Sequence, residues 1–286
     1  MLARLLAPLF VVLWSSGFVG AKLGLPYAEP LTFLTLRYAS VIVLMGAAAF
    51  LWRAPWPRGR AFVHTAVAGI LIQATYLAGV FDAIRHGLPA ALVALIVGLQ
   101  PIITAVVAGW LLKEKVSARQ WFGLAAGFAG VALVVTHSRD PGLGQNWDMR
   151  ALWPAIAALA GITLGTLYQK RFCPSFDLRS GSVIQFGASL LVTLPLAWSV
   201  ETMQVTWSGK FIFALGWLVL MLSVGAISLL NLLIRRGNAV AVTSLFYLTP
   251  AVTALIAWLL FREHMQPLAL AGMAVAVFGV WLARKK

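Results

Sequence analysis

Long apolar runs separated by short polar turns dominate the chain. Ten runs of 17–24 residues stand out: Leu5 to Leu23, Leu31 to Trp52, Ala61 to Phe81, Pro89 to Leu112, Gln120 to Thr136, Ala151 to Gln169, Ser182 to Val200, Phe211 to Ile234, Ala239 to Phe261 and Pro267 to Ala283. A helix needs about 20 mainly apolar residues to cross a hydrocarbon core of roughly 30 Å. The pattern therefore predicts an all-α integral membrane protein with ten transmembrane helices, joined by short turns that make successive helices antiparallel neighbours. His137 to Arg150 is the longest connection, and Asp140, Pro141, Gly142, Gly144 and Asn146 give it a polar, turn-forming composition. It divides the chain into a first half, 1–137, a linker, 138–150, and a second half, 151–286. The first run follows Arg4 as in a signal peptide. It continues through Trp14, Ser15, Ser16 and Gly17 without a convincing small-residue cleavage site, and reads as a retained span.

Composition agrees: 61% of the 286 residues are hydrophobic and 10% are charged, which excludes an ordinary soluble domain. The formal charge of +14 would suggest nucleic acid in a soluble chain, but here the cations sort by side. Fifteen of the 22 Lys and Arg fall on the side of the termini, six fall on the other, and Arg37 lies within a span. The positive-inside rule then places both termini in the cytoplasm and the linker in the periplasm, so the basic excess anchors topology and implies no nucleic-acid partner. Cys173 is the only cysteine and can form no intramolecular disulfide.

Shifting the chain by 149 residues aligns Gln100–Leu133 with Thr249–Leu282, with 11 of 34 pairs identical. Pro101 meets Pro250, Thr104 meets Thr253, Glu114 meets Glu263, Gly123 meets Gly272 and Gly130 meets Gly279. Ile84–Gly87 recurs as Ile234–Gly237, one residue out of that register. Five spans per copy is an odd number, so the second copy enters the membrane inverted, as in many secondary transporters.

These stretches, with WSSGF at Trp14–Phe18, Arg37 early in the second span and GTLYQKR at Gly165–Arg171, resemble the EamA-type branch of the drug/metabolite transporter superfamily. The resemblance covers nearly the whole chain. It implies a multi-pass inner-membrane protein, a basket of ten helices with a central cavity lined largely by the first, third, fourth, sixth, eighth and ninth spans. It also implies small-molecule cargo such as amino acids, other metabolites or drugs, with export as the direction.

Polar residues inside a membrane are costly and mark pathways. Arg37 lies about six residues into its span, roughly 9 Å from the periplasmic end at 1.5 Å per residue. Its long stem would let it snorkel to the interface or bond a neighbouring carbonyl; alternatively it serves an anionic substrate. Pro101 and Pro250, preceded by Gln100 and Thr249, predict kinks near the middles of the fourth and ninth spans. With Thr104, Tyr247 and Thr253 beside them, these kinks are either hinges facing the cavity or sites of helix-to-helix hydrogen bonding. Trp14 and Ser15, Gln73 and Tyr76, Tyr168 and Gln169, Gln185 and Asn231 complete the inventory, with packing as the competing role for each aromatic. Tyr168 and Gln169 lie near the cytoplasmic face and could instead gate or anchor.

All eight carboxylates fall in loops or at span ends. The sequence thus offers no buried acid as a proton relay, so facilitated diffusion or exchange gains weight, with His64, Glu114 or Glu263 near a span end, or the substrate itself, as the alternative proton carriers. Glu114 and Glu263 end equivalent helices beside Lys113, Lys115 and Arg262, which favours ion pairing over gating. The glycines of the fifth and tenth spans imply close packing, within the chain or in a homodimer. The four histidines are dispersed and nucleotide-binding or metal motifs are not evident, so no metal, cofactor or catalytic residue is expected. The reading is a secondary transporter of small organic metabolites or drugs working by alternating access, with a passive channel or an intramembrane enzyme as rivals.

Overall fold

The computed structural model describes residues 2–86, 88, 90–113, 115–137, 150, 152–173, 175–236, 238–261 and 267–284. They are helical almost throughout, with no β-strand among them. α1 (Leu2–Gly24) and α2 (Pro30–Leu51) are followed by α3 (Arg60–Gly69), a π-helical stretch at Ile70–Thr75 and α4 (Tyr76–Arg85). Next come α5 (Ala90–Val97), α6 (Gln100–Leu111), α7 (Ala118–His137), α8 (Leu152–Phe172) and α9 (Leu178–Val200). α10 (Gly209–Trp217) passes through a second π stretch, Leu218–Ala226, into α11 (Ile227–Arg236). α12 (Ala239–Thr243) tightens into a 3-10 turn at Ser244–Tyr247 before α13 (Leu248–Phe261), and α14 (Pro267–Arg284) completes the order. Among the described residues, seven helical runs are long and apolar enough to cross a membrane.

Polarity is arranged inside out relative to a soluble bundle. Phe50, Trp110 and Leu191 stand more than three-quarters exposed, whereas Gln73, Gln100, Gln169, Gln185 and Asn231 are buried. Lipid is the solvent that makes both choices favourable, because it welcomes the outer side chains and leaves interior amides to bond one another.

The two prolines refine one expectation. Each is expected to kink its span; the α-helix is interrupted by a turn just upstream of Pro101 and tightens into a 3-10 turn just upstream of Pro250. A turn at Gly98–Leu99 ends α5, and Pro101 lies in the first turn of α6. The 3-10 turn Ser244–Tyr247 likewise precedes α13, with Pro250 in its first turn. Proline costs nothing there, since the first N–H groups of a helix have no partner within it.

α7 and α14 form the closest helix pair. A Cβ added at Gly123 would stand 2.7 Å from the Gly279 carbonyl, and one at Gly272 would stand 2.8 Å from that of Gly130. The crossed pairing of Gly123 with Gly279 and of Gly130 with Gly272 means that the helices run antiparallel. It also shows these glycines bringing backbones together within the chain. α2 with α9, α4 with α8 and α1 with α13 add further contacts between residues 2–137 and 150–284.

At one end of α9 the Asp177 carboxylate caps the helix, accepting from Arg179 N at 2.9 Å and from Arg179 Nη2 at 2.7 Å. Bonding to the Arg179 side chain holds this carboxyl below the usual carboxylate range. The cap is therefore complete near neutral pH and is lost as pH falls through that depressed value.

Candidate functional site

Arg37 sits in the second turn of α2 and is 4% exposed. Its Nε donates to Ser223 Oγ at 2.8 Å, across to the π stretch of the other half. The head group turns into the bundle, so the snorkelling reading does not describe it. The phenols of Tyr38 and Tyr76 are its ionisable neighbours, and among the described residues no carboxylate pairs with it. Arginine costs about 3 kcal/mol or more at the centre of a membrane helix, and Arg37, nearer one end, is denied the interface because its head group is buried in the bundle. One neutral hydroxyl offsets little of that.

The π stretches shape this neighbourhood. A π turn disturbs the regular i to i+4 ladder and re-aims its side chains. Gln73 lies in the first stretch and Ser223 in the second, 150 positions apart. Tyr38 Oη donates to the Gln73 carbonyl at 2.9 Å, holding α2 against the first stretch. Beside it, Trp14 stacks on Tyr76 with centroids 6.5 Å apart and meets Phe246 edge-on at 5.1 Å. Phe10 completes the aromatic group, 5.4 Å from Trp14. Ser15 Oγ donates to the Thr249 carbonyl at 3.3 Å, joining α1 to α13.

Deeper in the bundle an amide chain crosses three helices. Gln185 Nε2 donates to Gln169 Oε1, and Gln169 Nε2 donates to Asn231 Oδ1, both at 2.9 Å. Several buried polar atoms have no hydrogen bond among the described residues: both amide atoms of Gln100, Gln73 Nε2, Asn231 Nδ2, and the hydroxyls of Thr104, Tyr247 and Thr249. Each such group carries a desolvation penalty of about 1–3 kcal/mol that a polar solute or water would relieve. Replacing Gln169 with leucine removes both bonds of the chain at once. The expected loss is about 1–3 kcal/mol, read as a lower unfolding temperature in detergent.

The aromatics do not all converge. Tyr168 lies in a separate cluster, its Oη 2.6 Å from His64 Nδ1, with His64 stacked on Phe172 at 5.1 Å. Its neighbour Gln169 is the residue turned inward. Thr253 falls within α13, and Glu114 and Glu263 lie outside the described residues. Sequence reasoning missed Ser223, Tyr38 and Phe246. Ser223 is the sole polar residue in the run Leu218–Ala226, and that isolation was its one available signal.

One end of the interior is closed by reciprocal carboxylate bonds between the halves. Glu201 accepts from Leu31 N at 2.8 Å and from Thr32 N and Oγ1 at 2.7 Å. It thereby caps α2, whose own N-cap residue, Glu29, makes no side-chain cap. Glu29 in turn accepts from Thr202 N at 2.6 Å and from Thr202 Oγ1 at 2.7 Å. An antiparallel bridge pairs Ala28 with Val205, and Thr206 N donates to the Tyr27 carbonyl at 2.8 Å. An open cleft of about 430 Å³ lies over this seam, lined by Tyr27, Glu29, Phe81, Thr202 and Gln204 among others.

Known proteins are similar to this chain in fold or in sequence. A crystal structure superposes with a TM-score of 0.78 at 19% identity, covering 98% of this chain and 95% of the other. An uncharacterized inner membrane transporter of Escherichia coli K12, YedA, is 25% identical over 98% of this chain and 91% of its own length. A probable amino-acid metabolite efflux pump of Salmonella typhimurium is 24% identical over 97% of this chain and 93% of its own. The EamA-like transporter family matches twice, at residues 1–136 and 149–284. With nearly every residue inside one of those two matches, the chain belongs to the EamA-like transporter family.

Proposed function

We propose that this protein is a secondary transporter that exports small organic metabolites, amino acids or related compounds among them, by alternating access across the inner membrane. Ten spans form two inverted five-helix repeats, 1–137 and 151–286, joined by a periplasmic linker at 138–150, with both termini in the cytoplasm. Seven long apolar runs, together with the shorter ones at Leu5–Gly17, Leu95–Leu111 and Ala239–Val252, fall where the ten spans are expected. The double family match supports the duplication. So do the paired π stretches, the paired breaks ahead of Pro101 and Pro250, and the antiparallel crossing of α7 with its counterpart α14. The names of the relatives support inner-membrane export.

The observation that carries this reading is a polar interior shared by the halves and sealed at one end by bonds between them, Glu201 to Thr32 and Glu29 to Thr202. Breaking that seam while closing the opposite end would expose the same interior groups to the other side. Pro101 and Pro250, beside helix breaks, lie where the halves can bend. Glu114 and Glu263 would pair with adjacent cations at helix ends. Amides, hydroxyls and one guanidinium are binding chemistry and not the paired acids or activated nucleophile of an enzyme.

Purified protein in liposomes should give saturable, protein-dependent flux of at least one member of a panel of amino acids, nucleosides and cationic drugs. A linear concentration dependence throughout the panel would favour a channel. No protein-dependent flux at all would contradict transport of these compounds.

A further inference from the structure

We infer that Arg37 is the anion-binding centre of the transport site, and that the cargo is a solute bearing a single carboxylate whose negative charge the protein reads directly. The inference rests on the transporter reading above and names its substrate class. Three observations lead to it. Arg37 is 4% exposed, and its only hydrogen bond among the described residues is from Nε to Ser223 Oγ, which leaves the paired terminal nitrogens of the fork without a protein acceptor. Among the described residues no carboxylate forms an ion pair or hydrogen bond with it, and the phenols of Tyr38 and Tyr76 are its ionisable neighbours. Finally, Arg37 and Ser223 come from opposite halves, so a ligand held there touches both bodies that must move relative to one another.

A guanidinium is planar and matches a carboxylate through two parallel N–H to O bonds. A single buried cation is neutralised by a single negative charge, so a monoanion fits better than a dianion. The aromatic group formed by Trp14, Tyr76, Phe246 and Phe10 adjoins this position and offers an apolar wall for the rest of the solute. Among the described residues nothing comparable receives a cation: Glu29 and Glu201 are engaged at the seam, Asp177 at the cap of α9, and Asp82 with His86 at the end of α4. No described carboxylate lies beside Arg37 to pair with an amino group on the cargo, so such a group is tolerated without being required.

The test compares three matched series in counterflow from liposomes: L-amino acids, their N-acetyl derivatives and their carboxamides. The transported compounds should be free amino acids or N-acetyl derivatives, with carboxamides at least tenfold weaker. In R37Q, carboxylates should lose at least tenfold in affinity and approach the carboxamides. R37K, which keeps the charge but not the fork, should retain part of the preference. Monodispersity and unfolding temperature in detergent establish that each variant is folded, and the preference of the unmutated protein tests the inference without any variant. Carboxamides carried as well as the acids, or an undiminished carboxylate preference in folded R37Q, would overturn the carboxylate inference while leaving transport standing. Absence of saturable flux for every compound would count against both readings, and saturable flux confined to non-carboxylate solutes would overturn this one alone.

Discussion

Replacing Gly279 with leucine is expected to abolish the folded protein, and replacing it with alanine should cost about 1–3 kcal/mol. A Cβ at this position would stand 2.6 Å from the Gly123 carbonyl oxygen and 2.6 Å from the Gly127 Cα. Both neighbours are backbone atoms of α7, so no rotamer change makes room and the helices must separate. Separation would weaken dispersion along the whole of α7 and α14, which is what holds helices together where lipid removes the hydrophobic drive. Gly216 provides the control. It lies in α10 with nothing within 4 Å of its virtual Cβ, so Gly216→Ala should be neutral or slightly stabilising. Unfolding temperatures of the three variants in detergent, with size-exclusion profiles, read the difference directly.

Glu201→Ala is expected to open the sealed end. The carboxylate satisfies two backbone donors at the start of α2 and the Thr32 hydroxyl, and it places negative charge at a helix N-terminus. Removing it leaves Leu31 N and Thr32 N to water and weakens the contact that joins the halves at this end. A loss of about 1–3 kcal/mol from one side of the equilibrium shifts the populations by about 5–150-fold. A cysteine introduced at Thr32 should then react faster with an impermeant thiol reagent than it does with Glu201 intact. Equal reaction rates would mean that the carboxylate does not hold the seam. Because Glu29 makes the reciprocal bonds to Thr202, Glu29→Ala should act in the same direction.

The sequence carried the architecture further than the site. Apolar run length and the repeated Pro and Gly positions are local or periodic signals, and the described helices follow them closely. Arg37 was legible as a costly intramembrane charge. Its partner was not, because nothing in the spacing says that α2 will face Ser223, 186 residues away. Gln169 and Tyr168 show the same limit: adjacent residues point about 100° apart on a helix, and only packing decides which looks inward. The kinks expected at Pro101 and Pro250 lie just upstream of each proline, because proline alone does not reveal that a turn at Gly98 or a 3-10 turn at Ser244–Tyr247 will interrupt the α-helix before it. Glu29 and Glu201 were correctly placed at span ends. Their mutual capping of opposite halves is a long-range pairing that hydropathy cannot register.

The central claim is that transport requires the seam between the halves to open and close. Ala28 and Val205 face each other in an antiparallel bridge, where Cα atoms lie about 4.5–5.5 Å apart and a disulfide can form. Ala28→Cys combined with Val205→Cys should therefore cross-link on oxidation, while the native Cys173 stays buried away from the reaction. In liposomes the account predicts that counterflow stops in the oxidised protein and returns on reduction. Undiminished counterflow through fully cross-linked protein would contradict it.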